Sequence, residues 1–302
     1  AAMAILAMGK LGSREMTPES DLDLVFVYDV PPGVTASDGP KSLTPGHYFA
    51  RLSQRLINAI TAQTSEGDLY EVDMRLRPSG TAGPIASSID SFSQYNDEAA
   101  WTWEQMALTR CRIISAWGGL EEKIATIIEA TLTRRRDPEA LLVDIAGMRE
   151  RMLQSHRTDF IWDVKHIRGG LVDVEFIAQY LQLRHAHDHP DVLARDTRTA
   201  LKNMADKGLL DADACADLTQ GLDLWKDLQG MLRLTIPRQL RQRRDHDIPE
   251  SLLEKLAQIG GATDASALKA KMEETAAKVL AHFNTIITDP AERLKNKKDV
   301  NR

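Results

Sequence analysis

Near residue 118 the pattern of the sequence changes, and that change constrains the architecture more than any other feature. Before it, β-branched runs are separated by Gly, Pro and Ser. After it come long stretches of helical periodicity with few breakers. A chain of 302 residues is long enough for two domains. The expected division is an α+β domain over 1–118 and an all-helical domain over 119–302, with no internal repeat.

In the first half, residues 1–8 read as a short buried strand, 9–13 as a turn and 22–28 as a second, bulky strand stopped by Pro31-Pro32-Gly33. Gly, Pro, Ser and Asp between 33 and 45 predict a loop. Tyr48, Leu52, Leu56, Ile57 and Ile60 stand at helical spacing within 46–64. A third strand is expected over 69–76, then helices over 89–95 and 99–115. In the second half, helices are expected near 138–155, 171–186, 194–207, 212–233, 249–258 and 265–287. The lysine- and arginine-rich tail from Asp289 to Arg302 reads as a frayed end.

Composition narrows the function. Hydrophobic residues at 43% and charged residues at 27% are the balance of a globular protein. The longest apolar run, Ala1–Met8, is far below the roughly 20 residues of a membrane helix, and no secretory signal precedes it. A net charge of −6 argues against a nucleic-acid-gripping surface. Cys111 and Cys215 form no CxxC, which fits free thiols in a reducing, cytoplasmic compartment. The chain opens on Ala-Ala and is expected to be a fragment.

The chemistry is concentrated in Gly12-Ser13, Asp21-Leu22-Asp23 and Asp73. On a strand, residues two apart face the same way with Cα atoms roughly 6.5–7 Å apart. Asp21 and Asp23 therefore repel unless a cation neutralises them, while Leu22 and Leu24 turn to the core. A hard divalent ion such as Mg²⁺ suits these oxygens. Strand alternation places Asp73, Arg75 and Arg77 on one face and Val72, Met74 and Leu76 on the other. A third acid completes a two-metal phosphate site, with the arginines on phosphate oxygens. The Gly12-Ser13 turn suits terminal phosphates. Alone, a DxD at a strand end is more often a solvated edge; the ordered set carries the reading.

The order GKLGS, SDLDL and LYEVDMRLRPSG resembles the nucleotidyltransferase superfamily that includes DNA polymerase β. More closely, AMGKLGSREM (7–16), SDLDLVFVYD (20–29), LYEVDMRLRPSGTAGPIA (69–86), AAWTWEQMALTRCRII (99–114) and WDVKHIRGGLVDVEFIAQYLQL (162–183) resemble the glutamine synthetase adenylyltransferase family. The resemblance implies a polymerase-β-like α+β domain with a mixed sheet, followed by a helical domain that closes over the nucleotide. GKLGS with YEVDMRLRPSG resembles the C-terminal, adenylylating module of that two-module family. The superfamily fold usually has a helix before the first strand, and this chain starts on the strand.

Carried onto these positions, the resemblance implies that Asp21, Asp23 and Asp73 bind Mg²⁺, with Mn²⁺ as the alternative. Asp73 also helps deprotonate the attacking hydroxyl, and Gly12 and Ser13 hold the ATP phosphates. The implied reaction is AMP transfer from ATP to a tyrosine of glutamine synthetase, with a PII-type signal protein and glutamine as regulators. Phosphorolytic removal of AMP, the chemistry of the sister module, is the alternative. A non-catalytic nucleotide- or signal-binding module is another, and a template-directed polymerase is disfavoured by charge.

Other residues divide between roles. Lys10 is placed either on a phosphate or in solvent. Trp101, Trp103 and Met106 are expected to pack between the halves. Asp173 falls in an apolar sector, where a buried acid needs partners such as Arg168 or Lys165. Alternatively Asp163, Lys165, Asp173 and Glu175 line the nucleotide cleft. Gly169-Gly170 reads as a tight helix entry. His185, His187 and His189 read as a polar helix end, Arg134–Arg136 as a helix terminus matched to its dipole, and Arg238, Arg241, Arg243 and Arg244 as a solvated basic face or a contact for an acidic partner.

Overall fold

The apolar runs at 1–8 and 22–28 pair to form the centre of a sheet. In the computed structural model, which describes residues 1–67, 70–156, 158, 160–236 and 248–300, they become β1 (Ala2–Ala7) and β2 (Leu22–Asp29). They run antiparallel, from Ala2 opposite Asp29 to Ala7 opposite Leu24. The free edge of β2 takes two short parallel strands in turn: β3 (Val72–Asp73) at its start and β4 (Ala86–Ser88) further along. β5 (Arg112–Ala116) pairs antiparallel with β1, with an irregularity between Ile5 and Leu6. The sheet is mixed, as the family resemblance implies.

Leu24, Val25, Phe26 and Val27 are all buried, so both faces of β2 are covered. On one face, α2 (Pro45–Ile60) inserts Phe49 among Met3, Leu24, Phe26 and Ala86. The Phe49 ring stacks on Tyr28 with centroids 4.5 Å apart. Pro45 at the first turn suits the start of this helix, where its missing N–H is no loss. On the other face, Leu6 and Val25 meet Phe92 of α3 (Ile89–Gln94) and Leu108 of α4 (Thr102–Leu108). Each fully buried side chain of this size contributes about 1.5–3 kcal/mol.

Three expectations change in this half. The helix predicted over 99–115 is α4 followed by β5, because the Arg112–Ala116 segment finds a partner in β1. The strand predicted over 69–76 keeps only Val72–Asp73, with residues 68 and 69 outside the described part. The Asp73 carboxylate accepts the Arg75 backbone N–H at 2.8 Å. This local turn competes with the strand ladder, so Arg75 and Arg77 do not continue on one strand face. The structure divides into Ala1–Arg134 and Arg135–Arg302, so the first unit includes α5 (Leu120–Thr133), which packs on β1 and β5.

The second unit is helical: α6 (Pro138–Ser155), α7 (Leu171–His185), α8 (Thr197–Asp206), α9 (Ala212–Thr235), α10 (Glu250–Ile259), α11 (Ala265–Phe283) and α12 (Asp289–Val300). Asp137, Asp196, Asp211 and Asp264 cap α6, α8, α9 and α11 by accepting first-turn backbone N–H groups. α7 is buried nearly all round and is contacted by α6, α8, α9 and α11, so it is the core helix of this unit. His185 is its last residue, the polar helix end expected. The described part of the tail, 289–300, is helical rather than frayed: Ala291 is buried, and α12 packs on α6. The Arg238–Arg244 cluster lies outside the described residues. Among the described residues no helix is long and apolar enough to cross a membrane.

Candidate active site

Parallel pairing of β2 with β3 puts Asp23 directly beside Asp73. Asp21 immediately precedes β2. Burial, then the negative charges of Asp73 and Asp21, push the Asp23 carboxyl up to about 6, against the opposing pull of Arg75 and Arg110. Asp73 goes the other way. Burial pushes its carboxyl up, but hydrogen bonds and charge from Arg75 outweigh that and hold it below the usual range. Arg75 Nε lies 2.7 Å from Asp73 Oδ2 and a terminal nitrogen of Arg75 lies 2.5 Å from it, on a side chain otherwise largely in solvent.

Asp23 is thus near enough to both Asp21 and Asp73 to feel their charge. Among the described residues, no group of three or more acidic, histidine or cysteine side chains is gathered to hold a metal ion. Both Asp73 oxygens accept from Arg75, one from its backbone N–H and one from its guanidinium.

The turn at 9–13 lies against Asp23. It is one helical turn, α1 (Gly9–Gly12), tied to β2 by the Met8 N–H donating to the Asp23 carbonyl at 2.9 Å. Gly9 has φ +51°, and a Cβ on it would fall 2.4 Å from Asp23 Oδ2, so only glycine lets the carboxylate lie over the turn. A Cβ on Gly12 would fall 1.9 Å from the Arg110 carbonyl oxygen and 2.7 Å from that of Ala7. Neither neighbour is a flexible side chain. Gly12→Ala is therefore expected to cost about 1–3 kcal/mol of stability, read as a lowered urea midpoint.

Ser13 is buried at the end of this turn. Its hydroxyl lies 2.8 Å from Glu15 Oε2 and accepts from Arg110 at 2.7 Å. Arg110 also pairs with Glu15. Arg112 donates to the Gly12 and Leu11 carbonyls at 3.0 and 2.7 Å. Glu15, Arg110 and Arg112 were not singled out from sequence. The available signal was a pair of arginines flanking Cys111 in an otherwise apolar stretch.

The remaining candidates separate. Lys10 Nζ lies 3.4 Å from Thr17 Oγ1. Arg77 donates to the carbonyls of Met74 at 2.7 Å, Pro84 at 3.1 Å and Gly83 at 3.2 Å, which makes it a clamp on the loop after Asp73. Trp101 is exposed and Met106 buried.

Lys165 and Asp163 lie in the turns before α7, in the second unit; Asp163 binds His166 Nδ1 at 3.0 Å. Asp173 is wholly buried, with Arg149 Nε at 2.5 Å, the Gly169 N–H at 2.5 Å and Arg168 at 3.3 Å. Its part is structural. Arg168 was an expected partner, and Arg149 was not.

The sequence profile of the glutamate-ammonia ligase adenylyltransferase family matches residues 1–126, and that of the GlnD PII-uridylyltransferase family matches residues 142–287. A bifunctional glutamine synthetase adenylyltransferase/adenylyl-removing enzyme of Bradyrhizobium diazoefficiens is 47% identical over 294 residues, covering 95% of this chain and 29% of that protein. The enzymes of the same name from Rhodopseudomonas palustris (strain BisB5) and Xanthobacter autotrophicus are 48% and 42% identical over 94% and 96% of the chain, and the chain covers 28% and 29% of them. The chain spans under a third of the length of these relatives.

Proposed function

We propose that this chain, a relative of the glutamine synthetase adenylyltransferases over nearly its whole length, transfers AMP from ATP to a tyrosine hydroxyl of glutamine synthetase. The observation that carries this is the register of Asp23 against Asp73, with Asp21 alongside and the Gly9–Ser13 turn against Asp23. Three neighbouring carboxylates, one of them pushed up by burial and by the other two, are a donor set that a hard divalent cation would satisfy. Asp21, Asp23 and Asp73 would hold Mg²⁺ or Mn²⁺, which supplies charge neutralisation at the reacting phosphate.

The turn orients the nucleotide. Gly12 and Ser13 receive its β- and γ-phosphates, and Lys10 and Arg75 lend positive charge at the edge. The tyrosine oxygen bonds to the α-phosphorus as the bond to the bridging oxygen breaks, and pyrophosphate leaves. A free tyrosine has a pKa of about 10, so its proton needs an acceptor at neutral pH, and Asp73 takes it. Arg77 keeps the loop after Asp73 in place. By the same reading the enzyme works in the cytoplasm, and its intact form answers to a PII-type signal protein and to glutamine.

The test is label transfer. With α-labelled ATP, Mg²⁺ and unmodified glutamine synthetase, label is expected on the synthetase and pyrophosphate in solution. Release of ADP from adenylylated synthetase and phosphate, with no forward labelling, would assign the chain to AMP removal instead. ATP binding without either reaction would make it a binding module.

A further inference from the structure

Ser13 raises a question of proton supply. A serine hydroxyl has one proton to donate and two lone pairs to accept with. The proton of Ser13 faces three acceptors: Glu15 Oε2 at 2.8 Å, the Gly9 carbonyl at 3.1 Å and the Lys10 carbonyl at 3.4 Å. The carboxylate is the nearest and the only charged one, so it takes the proton. Arg110 donates to the same hydroxyl at 2.7 Å and also pairs with Glu15. The side chains of Arg110 and Glu15 are only 8% and 13% exposed, so this is a largely dry cluster rather than a surface pair. Arg110 also lies close enough to Asp23 for its charge to act there.

A phosphate arriving at Ser13 would seek the same two things that Glu15 now holds: the hydroxyl proton and a guanidinium edge. We propose that Glu15 stands in the phosphate's place. On nucleotide binding its carboxylate gives up the Ser13 hydroxyl, and Arg110 becomes a direct ligand of an ATP phosphate. The inference rests on the reading of Ser13 as a phosphate-binding residue. It adds a residue that binds, Arg110, and a residue that competes, Glu15. The exchange substitutes one anion for another, so the buried guanidinium is never left uncompensated.

The experiment is equilibrium titration of the full chain with ATP and Mg²⁺, comparing wild type with Ser13→Ala, Glu15→Gln, Arg110→Ala and the Glu15→Gln/Arg110→Ala pair. Removing the competing charge in Glu15→Gln is expected to tighten ATP binding roughly three- to tenfold. Arg110→Ala is expected to weaken it by about tenfold or more, because a charge-assisted bond is lost. In the double variant most of the gain from Glu15→Gln should vanish, since the two act on one phosphate.

If Glu15 merely clamps the turn, Glu15→Gln will bind ATP no better than wild type or more weakly, and the proposal is overturned. Should Glu15→Gln fail to fold, Glu15→Asp, which withdraws the carboxylate by one methylene, carries the same expectation. The two readings fail differently. Wild type that binds no ATP, or Ser13→Ala that binds as wild type does, removes the phosphate role of Ser13 itself. Weakened Ser13→Ala together with unimproved Glu15→Gln removes only the exchange.

Discussion

Replacing Asp21 and Asp23 together by Asn is expected to abolish AMP transfer while leaving the protein folded and, in metal-free buffer, slightly more stable. Both halves of that result follow from one arrangement. Asp23 is half-buried, beside Asp73 across the β2–β3 ladder and near Asp21, and burial together with those two negative charges pushes its carboxyl up. Asn keeps the shape and removes the charge, so the like-charge repulsion disappears. The same change removes the anionic oxygens that would hold a divalent ion where charge develops in the transition state. Loss of about a thousandfold or more in rate is expected, equivalent to about 4 kcal/mol of transition-state stabilisation. Label transfer gives the rate. Thermal unfolding with and without Mg²⁺ gives the second readout: the wild-type midpoint should rise with the ion by linkage, and that of the variant should not. A variant that still labels glutamine synthetase at a tenth of the wild-type rate would remove these two carboxylates from the chemistry.

The sequence made some of this site readable and hid the rest, for physical reasons that differ residue by residue. β1 and β2 were legible because long apolar runs between breakers have few other ways to be buried. β5 was not, because its strand character depends on β1, far upstream, and the helical pattern of α4 runs straight into it. Asp73 was placed on the right strand. The fate of Arg75 and Arg77 was missed because alternation is a property of a continuing strand, and the Asp73 carboxylate ends the strand by capturing the next-but-one N–H.

Arg110 and Glu15 illustrate a third limit. Each looks like a surface residue by type, and only tertiary contact makes them partners. Arg149 was closer to legible. Leu141, Ile145 and Arg149 are spaced by four on α6, so the arginine lies on the buried stripe. Set beside an acid already suspected of burial on α7, it names its own partner.

Breaking that pair is expected to have the largest effect on stability of any single change in the second unit. Arg149 is 1% exposed and Asp173 is fully buried, with Arg149 Nε 2.5 Å from Asp173 Oδ1. Arg149→Met should cost about 3–5 kcal/mol, because it leaves a buried carboxylate short of its main counter-charge. The cost reaches beyond the pair.

Asp173 Oδ2 also accepts the Gly169 N–H, and the Gly169 carbonyl accepts from the fully buried Trp225 Nε1 at 3.1 Å. Gly169 itself has φ +76°, and a Cβ there would fall 1.9 Å from the Ala276 carbonyl. One carboxylate therefore fixes the entry of the core helix against α6, and through Gly169 against α9 and α11. Urea titration followed by Trp fluorescence should show the fall in midpoint.

The double variant Arg149→Met/Asp173→Leu is the informative partner. Removing both charges removes the desolvation penalty along with the attraction, so it should recover a large part of what Arg149→Met loses. The Gly169 N–H would still lack its acceptor, at about 1–3 kcal/mol, and recovery should stop short of wild type by roughly that amount. Full recovery would mean that the ion pair and the Gly169 contact add nothing to stability over apolar packing. No recovery would mean that the geometry imposed on the 163–170 turn, rather than the charge, is what holds α7 in its place.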